Sequence, residues 1–324
     1  SVDALLSTCS CGAWADSYLE DETSCTSAGG TWDDMMWYCE GVGYVDGNSG
    51  SCPVTCVGDY WITSTDPLGD VADISHCEVI EGTLRVWYTD SPLTNLDGLS
   101  SLTSVDSLYI SGNDALLNVD GLSNLASADY VSIDYNPALT NVDGLSGLAS
   151  VGSLTIRHSD NLTELDGLSN LTSLTGGLHI NGLDSLANLD GLASLNSVGG
   201  NFYYSGNNAL TELDGLSSLV SIGGDVTIHY TSALASLDGL SSLTSVGGQV
   251  NIHDNSGLCQ DSVDALLSTC SCGAWADSYL EDETSCTSAG GTWEEMWPGG
   301  PGSCEGVGYV DGNSGSCPVP GDDD

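Results

Sequence analysis

Apolar residues recur along the middle of the chain with a period of 23 or 24 residues. The tripeptide Asp-Gly-Leu marks this period, and it begins at Asp97, Asp120, Asp143, Asp166, Asp190, Asp214 and Asp238. Each repeat also holds one short alternating segment, such as Leu108–Ile110 (LYI) or Leu154–Ile156 (LTI), whose outer residues are apolar. Because successive side chains of a strand point to opposite faces, these segments predict strands whose outer residues face a core.

The period predicts a mainly β fold, a short β-solenoid. One coil cannot bury its own apolar face, but stacked coils share a continuous core. An earlier segment, Leu84–Val86 (LRV), brings the number of coils to about eight, and strand spacing then gives a rod of roughly 35–40 Å. One coil supplies an inward set that later coils repeat: Leu99, Leu102, Val105, Leu108, Ile110 and Leu116.

Two polar columns are nearly constant between the repeats. A serine recurs at Ser104, Ser127, Ser150, Ser173, Ser197, Ser221 and Ser245, and we interpret this column as structural, with stacked hydroxyls bonded along the axis or to the backbone. The aspartates of the Asp-Gly-Leu tripeptides form the other column. Either each carboxylate caps a short turn through the N–H groups that follow it, or the column binds cations. We favour the cap, since the glycine after each aspartate suits a turn.

The repeat LTSVGG…LxI…N…LxxLDGL resembles the leucine-rich, receptor L-domain-like repeats of secreted bacterial proteins. The resemblance covers about Cys56 to Cys259. It implies a right-handed solenoid with an extracellular binding or structural role, and it brings no catalytic residues. The segment between Cys56 and Cys77 resembles the N-terminal cap of such proteins, which implies a disulfide between these two cysteines.

Charge narrows the classes of partner. The formal net charge is −44, with 46 acidic residues and only two basic ones, Arg85 and Arg157. Phosphate neutralisation needs Lys and Arg, so nucleic acid and anionic membrane surfaces are excluded as partners. Disorder, the usual interpretation of such a charge, is set aside because 40% of the residues are hydrophobic and their spacing is periodic.

Thirteen cysteines indicate an oxidising, extracellular setting. The sequence contains no apolar run long enough to insert into a membrane. It also contains no motif that requires a cofactor, although Ca²⁺ could serve as a structural ion.

The chain carries one cysteine-rich module twice. Residues 1–32 and 262–293 are identical, and so are Cys39–Val54 and Cys304–Val319. We therefore divide the chain into a cysteine-rich connector module (1–55), a solenoid with its N-terminal cap (56–259) and a second copy of the module with an acidic tail (260–324). The segment SVDALLSTC in the second copy predicts a short amphipathic helix that turns Val263, Leu266 and Leu267 onto the open end of the solenoid.

The second copy has six cysteines counted from Cys259, and the first copy has five, because its sixth would precede Ser1. Cys9 is therefore expected to be unpaired or bonded to another chain. The connectivity is open from sequence, and our expected pairs besides Cys56–Cys77 are Cys259–Cys270, Cys25–Cys39, Cys286–Cys304, Cys11–Cys52 and Cys272–Cys317.

Two motifs within the modules have spacings that invite a metal-binding interpretation. YVDGNSGSC, with Asp46 and Asn48 in one copy and Asp311 and Asn313 in the other, faintly resembles a calcium loop. It lacks the third alternating ligand and the closing Glu, so a turn is the preferred interpretation. The C-x-C pairs are too short for a zinc site.

The outward positions of the predicted strands form a candidate contact face. Both arginines and four of the five histidines fall there, together with several aromatic residues. The alternative is an ordinary exposed sheet, in which Tyr and Thr are common. Histidines on adjacent coils (His158 with His179, His229 with His253) could bind a transition metal, but no further ligand completes such a site. The candidate binding residues are Trp87, Tyr109, Arg157, His158, His179, Tyr203, His229 and His253.

Two function classes follow, and neither is an enzyme, since no catalytic motif such as GxSxG occurs. The first is an extracellular structural protein whose duplicated modules join it end to end with copies of itself, as a filament, a surface structure or a tandem array. The second is a binding or adhesion module that uses the strand face to hold a glycan or a surface protein.

Overall fold

A computed structural model describes residues 53–63, 67–89 and 93–270, together with short strands on either side. The chain divides into two compact units, Ser1–Thr55 and Cys56–Asp324. In the first unit, strands β1 (Thr31–Asp33) and β2 (Tyr38–Glu40) pair in antiparallel fashion, with Trp32 opposite Cys39.

A 16-stranded sheet dominates the second unit. Its strands are β3 (Thr55–Val57), β4 (Tyr60–Ile62), β5 (Val79–Trp87), β6 (Ser104–Ser111), β7 (Ser127–Asp134), β8 (Ser150–Arg157), β9 (Ser173–Leu174), β10 (Leu178–Asn181), β11 (Ser197–Val198), β12 (Phe202–Ser205), β13 (Ser221–Ile222), β14 (Val226–His229), β15 (Ser245–Val246), β16 (Val250–His253), β17 (Trp275–Asp277) and β20 (Gly308–Asp311). A separate antiparallel pair consists of β18 (Thr292–Glu295) and β19 (Gly302–Glu305). The helices are α1 (Pro67–Ile74) and α2 (Gln260–Thr269).

Consecutive coils pair in parallel, and the repeat length fixes their register. Leu154 pairs with Leu178 and Ile156 with Ile180 across β8 and β10. The predicted inward residues are buried, with all six members of the first set at most 2% exposed. The mainly β, solenoid-like fold expected from the period is therefore confirmed. From the fourth repeat onward the long strand divides in two, because a Gly-Gly pair interrupts it.

The sheet extends beyond the eight expected coils at both ends. β4 pairs in parallel with β5, and β20 pairs in parallel with β16. Neither strand belongs to the repeat in sequence, so the period alone did not predict it.

Each Asp-Gly-Leu tripeptide forms a 3₁₀ turn, but its aspartate carboxylate does not cap it. In the turn at Asp143–Leu145, the N–H groups of Leu145 and Ser146 donate to the backbone carbonyls of Val142 and Asp143. The N–H of Asp143 donates instead to Oδ1 of Asn141 at 3.2 Å. The capping interpretation of the aspartate column is therefore wrong, and the column is exposed.

The glycine of the same tripeptide is needed for close packing between coils. A Cβ on Gly144 would overlap the carbonyl of Val119 in the preceding coil. Because glycine has no side chain, adjacent turns can stack closely. We expected glycine to be needed for the backbone conformation of the turn itself, and that reason does not explain this contact between coils.

A buried polar column at the end of each strand was not recognised in the sequence. Asn113 donates through Nδ2 to the Val86 carbonyl (3.1 Å) and to Oδ1 of Asn136 (3.0 Å). Asn136 donates in turn to the carbonyl of Ile110 (2.9 Å). The members of this column are Thr89, Asn113, Asn136, Ser159, Asn207, Thr231 and Asn255. The asparagine and serine side chains satisfy backbone groups that leave the sheet ladder, as buried polar groups require. The hydroxyls of Thr89 and Thr231 donate instead to Oδ1 of Asn113 and Asn255.

The serine column is in register, and the hydroxyl of Ser127 donates to that of Ser104 at 3.2 Å. Its structural interpretation agrees with this contact.

Helices cover both ends of the repeat stack. Val71 and Ile74 of α1 are buried, and a Cβ on Gly98 would overlap Cγ1 of Val71, so α1 packs directly on the first turn. Cys56 and Cys77, the pair implied by the resemblance, form a disulfide with their Cα atoms 5.8 Å apart.

At the other end, Val263, Leu266 and Leu267 of α2 are buried, so the predicted helix and its apolar face are confirmed. The hydroxyl of Ser262 accepts a hydrogen bond from the N–H of Leu237 at 2.8 Å. Cys259 and Cys270 each take part in a disulfide, and their pairing with each other stays a prediction. The remaining expected pairs and the free Cys9 involve residues outside the described part of the chain.

Three of the four candidate calcium ligands lie in parts of the chain that the structure does not describe. Asp46, Asn48 and Asn313 lie outside the described residues, and Asp311 is described only as a member of β20, in register with His253.

Candidate functional site: the strand face

The strand face consists of three adjacent rows of residues that run across the coils. In the first row, Trp61, Arg85 and Tyr109 are in register on β4, β5 and β6, and the row continues through Ser132, Thr155, His179, Tyr203, Thr227 and Asn251. The second row contains Trp87, Ser111, Asp134, Arg157, Asn181, Ser205, His229 and His253. Trp61 was missed in the sequence because it precedes the first recognisable repeat.

The third row follows the end of each strand and has left-handed backbone geometry. Tyr88, Tyr135, His158, Tyr230 and Asp254 have φ values between 49° and 56°, and glycine fills the other three coils at Gly112, Gly182 and Gly206. A non-glycine residue in this conformation costs about 1–2 kcal/mol, and a bulky one is uncommon there. The backbone thus accepts glycine, yet three coils place a tyrosine there that is more than half exposed.

Aromatic side chains cluster around Arg85 at the N-terminal end of the face. The rings of Trp61 and Trp87 are nearly parallel, with centroids 5.9 Å apart, and Trp87 contacts Tyr88 at 5.7 Å. The guanidinium of Arg85 lies over Trp61 (4.6 Å) and Tyr109 (5.4 Å). Cation–π attraction and an ion pair between Arg85 and Asp59 (3.2 Å) hold this arrangement. Backbone donation from Thr83, together with Arg85, lowers the pKa of Asp59.

In the middle of the face, several outward residues are covered by their neighbours. Thr155 and Asp134 are each only 7% exposed, although their strand positions point away from the core. The phenol of Tyr130 lies 3.3 Å from the Thr155 hydroxyl, and Arg157 forms an ion pair with Asp134 at 2.8 Å. These two side chains point away from the core and are still buried, because the longer side chains of Tyr130 and Arg157 on adjacent coils lie across them. Ser132 in the first row and Ser205 in the second row are buried as well.

Histidines and tyrosines form a second cluster at the C-terminal end. The phenol of Tyr203 lies 2.7 Å from Nε2 of His229, and the rings of His229 and His253 are 4.9 Å apart. Nδ1 of His253 contacts the carboxylate of Asp254 at 2.9 Å. Burial lowers the pKa of His229, and the neighbouring His253 lowers it further, while Asp254 opposes the shift. The pKa of His179 is also lowered, first by burial and then by Arg157.

Neither histidine pair belongs to a group of three close ligand atoms within the described residues. His158 stacks on Tyr135 (4.5 Å) while His179 contacts Tyr203 (5.4 Å), so these two histidines have different partners. Within the described residues, one group of three ligand atoms lies close enough to hold an ion: Cys56, His76 and Cys77. Both of these cysteine sulfurs belong to the disulfide, which removes them as metal ligands.

All eight candidate binding residues fall on the three rows of the strand face. Trp87 and Tyr109 belong to the N-terminal cluster, Arg157 and His158 to the middle, and the others to the C-terminal cluster. The face is thus a discontinuous strip of aromatic and imidazole rings. It offers stacking surfaces and hydrogen-bonding groups.

Comparison with protein-family models and with curated proteins found no match. Among the residues that the structure describes, no helix has the length and apolar character needed to cross a bilayer.

Proposed function

We propose that this chain is an extracellular structural unit that joins end to end with copies of itself through its duplicated terminal modules. The pairing of β20 with β16 supports this proposal, because a strand from the C-terminal module continues the solenoid sheet. Helix α2 belongs to the same module and covers the last turn. The sequence of these elements also stands before the first coil, in the N-terminal module.

The net charge sets the conditions for assembly. With 46 acidic and 2 basic residues, two units repel each other in dilute buffer. Salt shortens the screening length to about 3 Å at 1 M, which allows contact between the ends. We therefore expect assembly in brine-like media, or with divalent cations, and little of it at low ionic strength.

Sedimentation velocity and negative-stain electron microscopy test the proposal. The full chain should form linear oligomers as its concentration rises in about 1 M NaCl. A chain that starts at Pro53, and so lacks the N-terminal module, is the control and should stay monomeric. A full chain that stays monomeric up to its solubility limit would contradict the proposal.

A second candidate function is recognition of a glycan or a surface protein by the strand face. The left-handed tyrosines favour it, because Tyr88, Tyr135 and Tyr230 stand where other coils have glycine. Backbone strain at exposed residues is more often associated with function than with stability. Neutral glycans suit such a face best, since the charge of the body does not repel them.

Replacing these three tyrosines together by glycine tests recognition separately from folding. The triple variant should be about as stable as the wild type, since relief of strain offsets the lost ring contacts. Binding on a glycan array should be lost, while Leu117→Ser, a change at a half-exposed residue off the face, should retain it. A wild-type protein that binds no glycan or surface protein, or a triple variant that binds equally well, would rule this candidate out.

A further inference from the structure

The last edge of the solenoid sheet is closed by a strand from far along the chain. β20 pairs in parallel with β16, with Ile252 opposite Val310 and His253 opposite Asp311. On its other side, β20 pairs with β17. An unpaired edge strand exposes a row of N–H and C=O groups that recruits another strand, so β20 protects the Val250–His253 edge.

The chain contains the sequence of the closing strand twice. Gly308–Asp311 lies inside Cys304–Val319, which is identical to Cys39–Val54, so Gly43–Asp46 has the same sequence and the same flanks. The sequence of its partner strand β17 (WAD) is repeated as well, at residues Trp14–Asp16. Val250–His253 is the edge to which this sequence is paired in the structure. At the opposite end, β5 is paired with β4, whose sequence is unrelated.

We propose that the Val250–His253 edge of one molecule accepts Gly43–Asp46 of a second molecule in place of its own Gly308–Asp311. This strand exchange rests on the proposed end-to-end assembly and names its contact. Because donor and competitor are identical in sequence, the exchanged and closed forms have nearly the same pairing, as in domain swapping. Main-chain pairing supplies the affinity of the acceptor edge, and the side chains of Gly43–Asp46, which are those of Gly308–Asp311, supply its preference for a second copy of this chain.

Tethering decides which copy of the strand occupies the edge. The molecule's own strand acts at an effective concentration on the order of 1 mM, set by the linking chain. At about 10 µM protein, roughly one edge in a hundred should then carry a neighbour's strand. Near millimolar local concentration, as within a growing filament, exchange should become comparable with closure. Each molecule thus pairs its own β20 with the Val250–His253 edge at low protein concentration, and it accepts a neighbour's strand at high protein concentration.

Matched proline variants of the full chain separate the two copies of the strand. Because β20 is paired on both sides, a proline within it removes an N–H donor from one of its two ladders. Val310→Pro weakens the molecule's own closing strand and should raise the self-association constant about tenfold. Val45→Pro, the same change in the other copy, should lower self-association. The double variant should associate no more than Val45→Pro. Sedimentation equilibrium measures the constants, and circular dichroism checks that the solenoid remains folded.

A peptide provides a measurement that does not depend on assembly. The fluorescein-labelled sequence of Glu40–Gly50 contains the strand and no cysteine. It should bind the Val310→Pro protein, bind the wild type more weakly, and show no binding when scrambled. Fluorescence anisotropy reports the affinity. Absence of binding to Val310→Pro would overturn the exchange.

The outcomes distinguish this inference from the function on which it rests. If chains join end to end but Val45→Pro does not reduce their association, the exchange is wrong and end-to-end assembly stands. If the peptide binds but no variant self-associates at any concentration, the acceptor edge stands and the proposed assembly fails.

Discussion

Removing the side chain of Asn136 should destabilise the solenoid more than its size suggests. Its Oδ1 accepts hydrogen bonds from the N–H (3.3 Å) and Nδ2 (3.0 Å) of Asn113, and its Nδ2 donates to the carbonyl of Ile110. All three groups are buried, so Asn136→Ala leaves the N–H of Asn113 and the carbonyl of Ile110 without these partners. At about 1–3 kcal/mol for each of these two orphaned groups, the expected loss is about 2–6 kcal/mol. Unfolding in urea, followed by circular dichroism, measures it.

An exposed asparagine provides the matched control for this prediction. Asn170 also bonds across coils, with Nδ2 donating to the carbonyl of Ser146 at 2.7 Å, but it lies on the surface, where water can replace the bond. Asn170→Ala should cost at most about 1 kcal/mol. A loss below about 1 kcal/mol for Asn136→Ala as well would refute the reasoning, because it would mean that the column does not satisfy buried backbone groups. Leu183 at the equivalent position of another coil shows that an apolar residue fits, so the cost is not steric.

Three further outcomes are expected. Gly144→Ala should lower stability by about 1–3 kcal/mol, as seen in the melting temperature, because its Cβ overlaps the Val119 carbonyl, whereas Ser146→Ala on the surface of the same turn should be neutral. Raising NaCl from about 0.01 M to about 1 M should raise the melting temperature, since salt screens the repulsion within a body of charge −44, and no change would remove the screening argument. Burial lowers the pKa of His229 below its usual 6.5, so its neutral form favours the folded state, and the stability difference between wild type and His229→Gln should decline as the pH falls below 6.5. If the stability difference between the two proteins, measured by unfolding in urea, is the same at about pH 7.5 and about pH 5, the lowered pKa of His229 is contradicted.

The strands of the repeats, the core between them and their register were predictable from the sequence. Alternation in a segment such as Leu154–Ile156 is a local property, and a constant repeat length leaves one way to place each segment beside the next. The helix that carries Val263, Leu266 and Leu267 was predictable for the same reason, since its apolar spacing is readable within one turn or two.

The polar and small residues that carry the contacts between coils could not be identified from any local pattern. Asn136 and Asn113 are 23 residues apart, and nothing in either local segment indicates that one amide supports the other. The overlap at Gly144 depends on the stacking distance between turns, and the burial of Thr155 depends on the reach of Tyr130 from the neighbouring strand. The entry of β20 into the sheet is likewise invisible to the period, because an edge strand is selected by backbone groups that every sequence possesses. Local patterns reveal which side of a strand faces the core, whereas contacts along the stack depend on distances that exist only once the coils have packed.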